Sequence, residues 1–124
     1  MRITKSVLFL IVVSLILVNG IKVSEVNTTG KITGQVIEAE TGETLPGATV
    51  SIVGTQQGAV TDADGYYIIL NVSPGTYELK ASFLGFKTQI VQEVRVKINQ
   101  TTTIDFTMSE SVTQGEEVVV IAKR

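Results

Sequence analysis

From Lys31 to Met108 the chain alternates apolar and polar side chains with a period of two, interrupted by turn signals every few residues. Such alternation places the apolar residues on one face of an extended strand and the polar residues on the other. In "KITGQVI", Ile32 and Val36 point one way while Thr33 and Gln35 point the other. In "ATVSIVG", Val50 and Ile52 oppose Thr49 and Ser51. The clearest run is "TYELKASF", with Tyr77, Leu79, Ala81 and Phe83 on one face and Glu78, Lys80 and Ser82 on the other. "EVRVKIN" and "TTIDFTM" repeat the pattern through Val94, Val96 and Ile98, then Ile104, Phe106 and Met108. Between these runs lie "TGETLPG", "GTQQG", "DADG", "SPG", "LGF" and "NQ". Short strands separated by turn residues, each solvated on one face, predict an all-β protein: a single antiparallel β-sandwich of about seven strands, immunoglobulin-like in architecture. No window carries a helical period of useful length.

Composition removes most chemistry. There is no histidine and no cysteine, so the commonest general base, the commonest metal ligand, thiolate sites and disulfides are all absent. The start of the chain reads as an export signal. Arg2 and Lys5 precede the apolar run "VLFLIVVSLILV", which has the length of a signal-peptide core and is short for a bilayer span. Val18 and Gly20 suit the −3 and −1 positions of a cleavage site, so residues 1–20 are expected to be removed, an uncleaved anchor being the rival reading. Their removal takes away two of 10 basic residues and no acid, leaving 8 against 12, a net charge of −4. An acidic domain without a basic stripe argues against nucleic acid and anionic lipid surfaces as partners. Residues 21–30 read as a polar leader before the sandwich at 31–108.

The pair Asp62 and Asp64 is the one constellation that invites a metal or catalytic reading. "DADG" holds the first half of a calcium loop, but Gly65 comes too early and the strand-forming "YYII" follows at once. Turn chemistry explains it better: Asp bonds to its own turn, and Asp-Gly supplies the positive φ of a tight hairpin. "SPGTY" is read alike, with Pro74 setting φ, Gly75 turning and Tyr77 opening a strand. No catalytic, cofactor or metal residue is expected. Tyr67, Tyr77, Phe83 and Phe86 suit a sugar-binding platform or a core, and strand period favours the core. Tyr66, pointing opposite to Tyr67, is the candidate for surface stacking. Asn27, Asn71 and Asn99 each begin an N-x-S/T sequon.

Beyond Met108 the pattern stops. "SESVTQGEE" is a polar linker, and Val118 to Ala122 spell "VVVIA". Exposed β-formers outside a core invite aggregation unless they meet a partner strand.

In this order, Gly34-Gln35-Val36, Leu45-Pro46-Gly47-Ala48, Thr61 to Tyr67, Pro74 to Tyr77 and Phe83 to Lys87 resemble the carboxypeptidase-regulatory-like domain, a transthyretin-like β-sandwich. The resemblance covers about residues 31–108. It implies no catalysis, because these domains are accessory modules without zinc-peptidase machinery. They are often found at the mature N-terminus of TonB-dependent outer-membrane receptors in Gram-negative bacteria. There a short segment that pairs with the TonB-like energising protein comes next, followed by plug and barrel.

"EEVVVIA", Glu116 to Ala122, looks like that segment, the TonB box. Glu117, Val118, Val119, Val120 and Ile121 are thus the candidate partner-binding strand, acting by β-augmentation. The alternative is a last edge strand of the sandwich itself. The expected function is a non-enzymatic periplasmic accessory domain of a nutrient receptor, with 109–124 a flexible tail. Such a receptor continues for hundreds of residues, so this sequence is expected to be the front of one, a truncated product or a stand-alone module. The runner-up is an independent extracytoplasmic module binding carbohydrate or protein, resting on fold analogy.

Overall fold

The computed structural model describes residues 27–113 and 115–122, so the signal-peptide reading and all of the leader before Asn27 lie outside the described residues. Among the described residues nine strands build two layers: β1 (Gly30–Glu38), β2 (Thr49–Ile52), β3 (Gly58–Val60), β4 (Tyr66–Val72), β5 (Gly75–Ser82), β6 (Thr88–Val96), β7 (Thr101–Thr103), β8 (Phe106–Met108) and β9 (Glu117–Ile121). One sheet runs β4-β1-β7, with β8 on the same side of β1 as β7; the other runs β3-β2-β5-β6-β9. The expected sandwich is therefore present, with more strands than the alternation revealed.

The extra strands have physical causes. "TTIDFTM" reads as one strand but breaks at Ile104-Asp105, where Asp105 Oδ1 accepts a hydrogen bond from Gln35 N at 2.9 Å. A carboxylate replaces a main-chain carbonyl there, and β7 and β8 pair separately with β1 on either side of it. Those two pairings and β6–β9 are parallel, while β1–β4, β2–β3, β2–β5 and β5–β6 are antiparallel. Hairpins force antiparallel neighbours; a strand that arrives from the opposite sheet is under no such constraint. Among the described residues β2–β3 and β5–β6 are the hairpins, β7 and β8 follow one another along β1, and each of the other connections crosses between the layers.

The core lies between the layers. Ile32, Val36, Val50, Ile52, Val72, Leu79, Val94, Phe106 and Met108 are fully buried, each contributing about 1.5–3 kcal/mol by leaving water. A bulge in β6, with Glu93 at φ 59, lets Val91 and Val94 both face inward although they are three apart. Gly34 is required by close approach, since a Cβ there would lie 1.8 Å from the Ile104 carbonyl oxygen. Tyr67, opposite Gly34 on β4, is buried and donates its hydroxyl to that same carbonyl at 2.5 Å. Burial, with the nearby Asp105 charge second, pushes the Tyr67 phenol well above its ordinary value.

Candidate strand-pairing site

Asp62 and Asp64 form a corner between the two sheets, because β3 and β4 belong to different layers. The hairpin expected at this position is absent. Asp62 Oδ1 accepts from Asp64 N and Tyr66 N, both at 2.9 Å, and Gly65 N donates to the Asp62 carbonyl at 3.0 Å. Gly65 adopts φ 78, and a Cβ on it would also press on Thr44 and the Val36 carbonyl at 2.8 Å. The corner is pinned by Thr61, whose buried hydroxyl donates to the Leu45 carbonyl at 2.5 Å and accepts from Ala48 N at 2.9 Å. Nothing in the alternation marks Thr61 for that role. Asp64 offers its main-chain carbonyl to Gln35 Nε2 at 3.0 Å. Among the described residues, no three acidic side chains gather into a metal-binding group.

Pro74 and Gly75 lie at another crossing, from β4 to β5. Gly75, read as turning, is already the first residue of β5, paired with Val96. The left-handed residue is Asn71, at φ 56, with Asn99 at φ 62 serving the β6–β7 crossing. Both belong to sequons, and both do backbone work that Asn tolerates well. Tyr77 donates its hydroxyl to the Ser73 carbonyl at 2.6 Å, bracing the crossing.

The aromatic side chains do not share one surface. Tyr67 packs on Phe106 with centroids 6.1 Å apart, whereas Phe83 and Phe86 meet at 5.6 Å beside the β5–β6 turn. Tyr77, Phe83 and Phe86 are half-buried against the core rather than inside it. Tyr66 is 54% exposed, in line with Ile68 and Leu70 on the outer face of β4. A groove of about 750 Å³ runs past Phe83, Leu84, Phe86 and Val112, lined otherwise by Thr and Ser hydroxyls and glycines. Among the described residues its lining holds no carboxylate, Lys or Arg.

The remaining candidates, Glu117 to Ile121, are all in β9, at the outer margin of the five-stranded sheet. The segment is paired, not free: it runs parallel to β6 from Thr88↔Glu117 to Gln92↔Ile121. Thr88 N donates to the Glu116 carbonyl and Ala122 N to the Gln92 carbonyl, each at 2.8 Å. A Lys87–Glu116 ion pair at 3.4 Å stands at its entrance. Side chains contribute little to the hold. Val118, Val119, Val120 and Ile121 are 41%, 52%, 39% and 60% exposed, and of this segment only Ala122 packs against the core.

The two end bonds fix which main-chain groups are used. In a parallel ladder alternate residues of a strand bond to one neighbour, and the residues between them point to the other side. Glu116, Val118, Val120 and Ala122 therefore bond to Thr88, Ile90 and Gln92 of β6. The N–H and C=O groups of Glu117, Val119 and Ile121 face the opposite edge, where no strand pairs with them among the described residues.

The sequence model of the CarboxypepD_reg-like domain matches residues 32–120. The chain belongs to this family. The matched span takes in β9 as far as Val120. TonB-dependent receptor P39 of Formosa agariphila is 36% identical over 107 residues, which cover 86% of this chain and 10% of the receptor. This CarboxypepD_reg-like chain thus spans about a tenth of that relative's length. Among solved structures, a type II cohesin–X-dockerin complex from Acetivibrio cellulolyticus matches with a TM-score of 0.57 and 27% identity, covering 65% of this chain and 58% of that one. The Bacillus anthracis TIE protein matches with the same TM-score at 19% identity, over 67% of this chain and 17% of that one, a likeness of fold alone. The family and fold are those of binding or regulatory domains.

Proposed function

We propose that this chain is the N-terminal domain of a TonB-dependent outer-membrane receptor in a Gram-negative bacterium. It works there as an exported, non-enzymatic interaction module in the periplasm, ahead of a plug and barrel. The observation that carries this reading is the match to a TonB-dependent receptor along 86% of the chain. The absence of His and Cys from the sequence and the use of Asp62 as a backbone acceptor support a role without catalysis.

Within this reading, Glu117 to Ile121 form the strand that the TonB-like protein recognises. β-Augmentation takes its affinity from main-chain hydrogen bonds and needs an extended segment with one open edge, and β9 has both. The test is binding of the full chain to the periplasmic domain of TonB from the same organism. Val119→Pro removes a donor on the open edge while leaving the bonds to β6 in place, so binding is lost and the circular dichroism spectrum is unchanged. A Val119→Pro chain that binds like the parent removes β9 from the interaction.

A further inference from the structure

We infer that the TonB-like partner adds its strand to β9 while β9 remains on β6, so that the domain's five-stranded sheet continues into the partner's. The inference rests on the reading above that β9 is the recognised strand, and it concerns how that strand is presented.

Three features of β9 point to addition rather than release. Its main-chain groups are already divided: Val118 and Val120 are committed to β6, while Glu117, Val119 and Ile121 hold three N–H donors and three C=O acceptors toward the open edge. An incoming extended strand finds a complete row of partners without breaking a bond inside the domain. The strand is also already ordered. A free peptide of the same sequence would have to give up the conformational freedom of each residue on binding, whereas the ladder to β6 has done so here. Finally, no side chain of β9 is buried, so nothing on either face obstructs a neighbour at the normal strand spacing. Glu116 and Lys87 neutralise each other at the entrance, and Glu117 is the carboxylate within the row itself.

The partner is a protein with its own open sheet edge, recognised through backbone and with little demand on side-chain identity. That differs from a captured loose peptide in what it predicts for β6. Amide hydrogen exchange by NMR on the unmodified chain separates the two. Alone, the amides of Val118 and Val120 are protected and those of Val119 and Ile121 exchange freely. With the periplasmic domain of TonB bound, Glu117, Val119 and Ile121 gain protection while Ile90 and Gln92 of β6 keep theirs. Loss of protection at Ile90 and Gln92 on binding overturns the inference, because it means β9 has left. A synthetic peptide of residues 109–124 supplies the second arm. It is expected to bind TonB roughly tenfold more weakly than the whole chain, since it arrives unordered; equal or tighter binding by the peptide also overturns the inference. Failure of both peptide and chain to bind overturns the partner-strand reading instead. Concentration-dependent protection of the same three amides without TonB makes a second copy of the chain the occupant, and that too overturns it.

Discussion

Strands β1 and β9 are both held by main-chain ladders, yet they differ in nearly every consequence. β1 has neighbours on both sides, β4 on one and β7 with β8 on the other, and its inward residues Ile32 and Val36 are fully buried. β9 has β6 on one side only and all five of its residues are exposed. The ladder orders a strand in either place. Burial of side chains decides whether that strand also supports the fold. Stability thus comes from strands such as β1 that send side chains into the core between the layers, and β9 is left available for recognition.

That contrast can be broken most sharply at Phe106, which reaches the core from β8 beside Val36. Phe106→Ala leaves a cavity against Tyr67 and is expected to destabilise the domain by about 3–5 kcal/mol in urea unfolding. A loss below about 1 kcal/mol would mean the β1 side is not where the stability resides. The next effect is at Tyr67. Tyr67→Phe removes the hydrogen bond to the Ile104 carbonyl, a cost of about 1 kcal/mol at neutral pH. It also changes the alkaline limb. The folded phenol titrates above its ordinary value near 10, so the stability tied to its protonated form is complete below that pH and is lost as pH rises through and beyond it. Unfolding free energies measured across that range should fall for the parent chain, with this component of the slope missing in Tyr67→Phe. The smallest effect belongs to β9: Val119→Ala should shift stability by less than about 0.5 kcal/mol. A larger shift in thermal midpoint would show that β9 is part of the supporting structure after all.

The alternating runs were readable as strands because one face of each meets the core and the other meets water. Ile32 and Val36, Val50 and Ile52, or Leu79 and Ala81 carry that signal in themselves. What they do not carry is the sheet to which each strand belongs. Asp62-Ala63-Asp64-Gly65 has the turn chemistry of a hairpin, and the same local bonds close a corner that sends β4 to the opposite layer. Asp105 hid a break in an apparently continuous strand because its role depends on Gln35, 70 residues away. In the candidate site, the β-branched run at 118–121 identifies an extended segment. Its parallel place on β6 depends on the path of residues 109–116, which composition does not specify.

The pairing of β1 with β7 and β8 also sets an order of events. The first strand of the sandwich gains one neighbour from residues 66–72 but must wait for residues 101–108 to gain the other. Contacts of such long sequence separation require the closure of a large loop before they return any free energy, and they slow folding. The sandwich cannot close on its N-terminal half alone. Until Met108 has left the ribosome, one side of β1 has no neighbour to pair with.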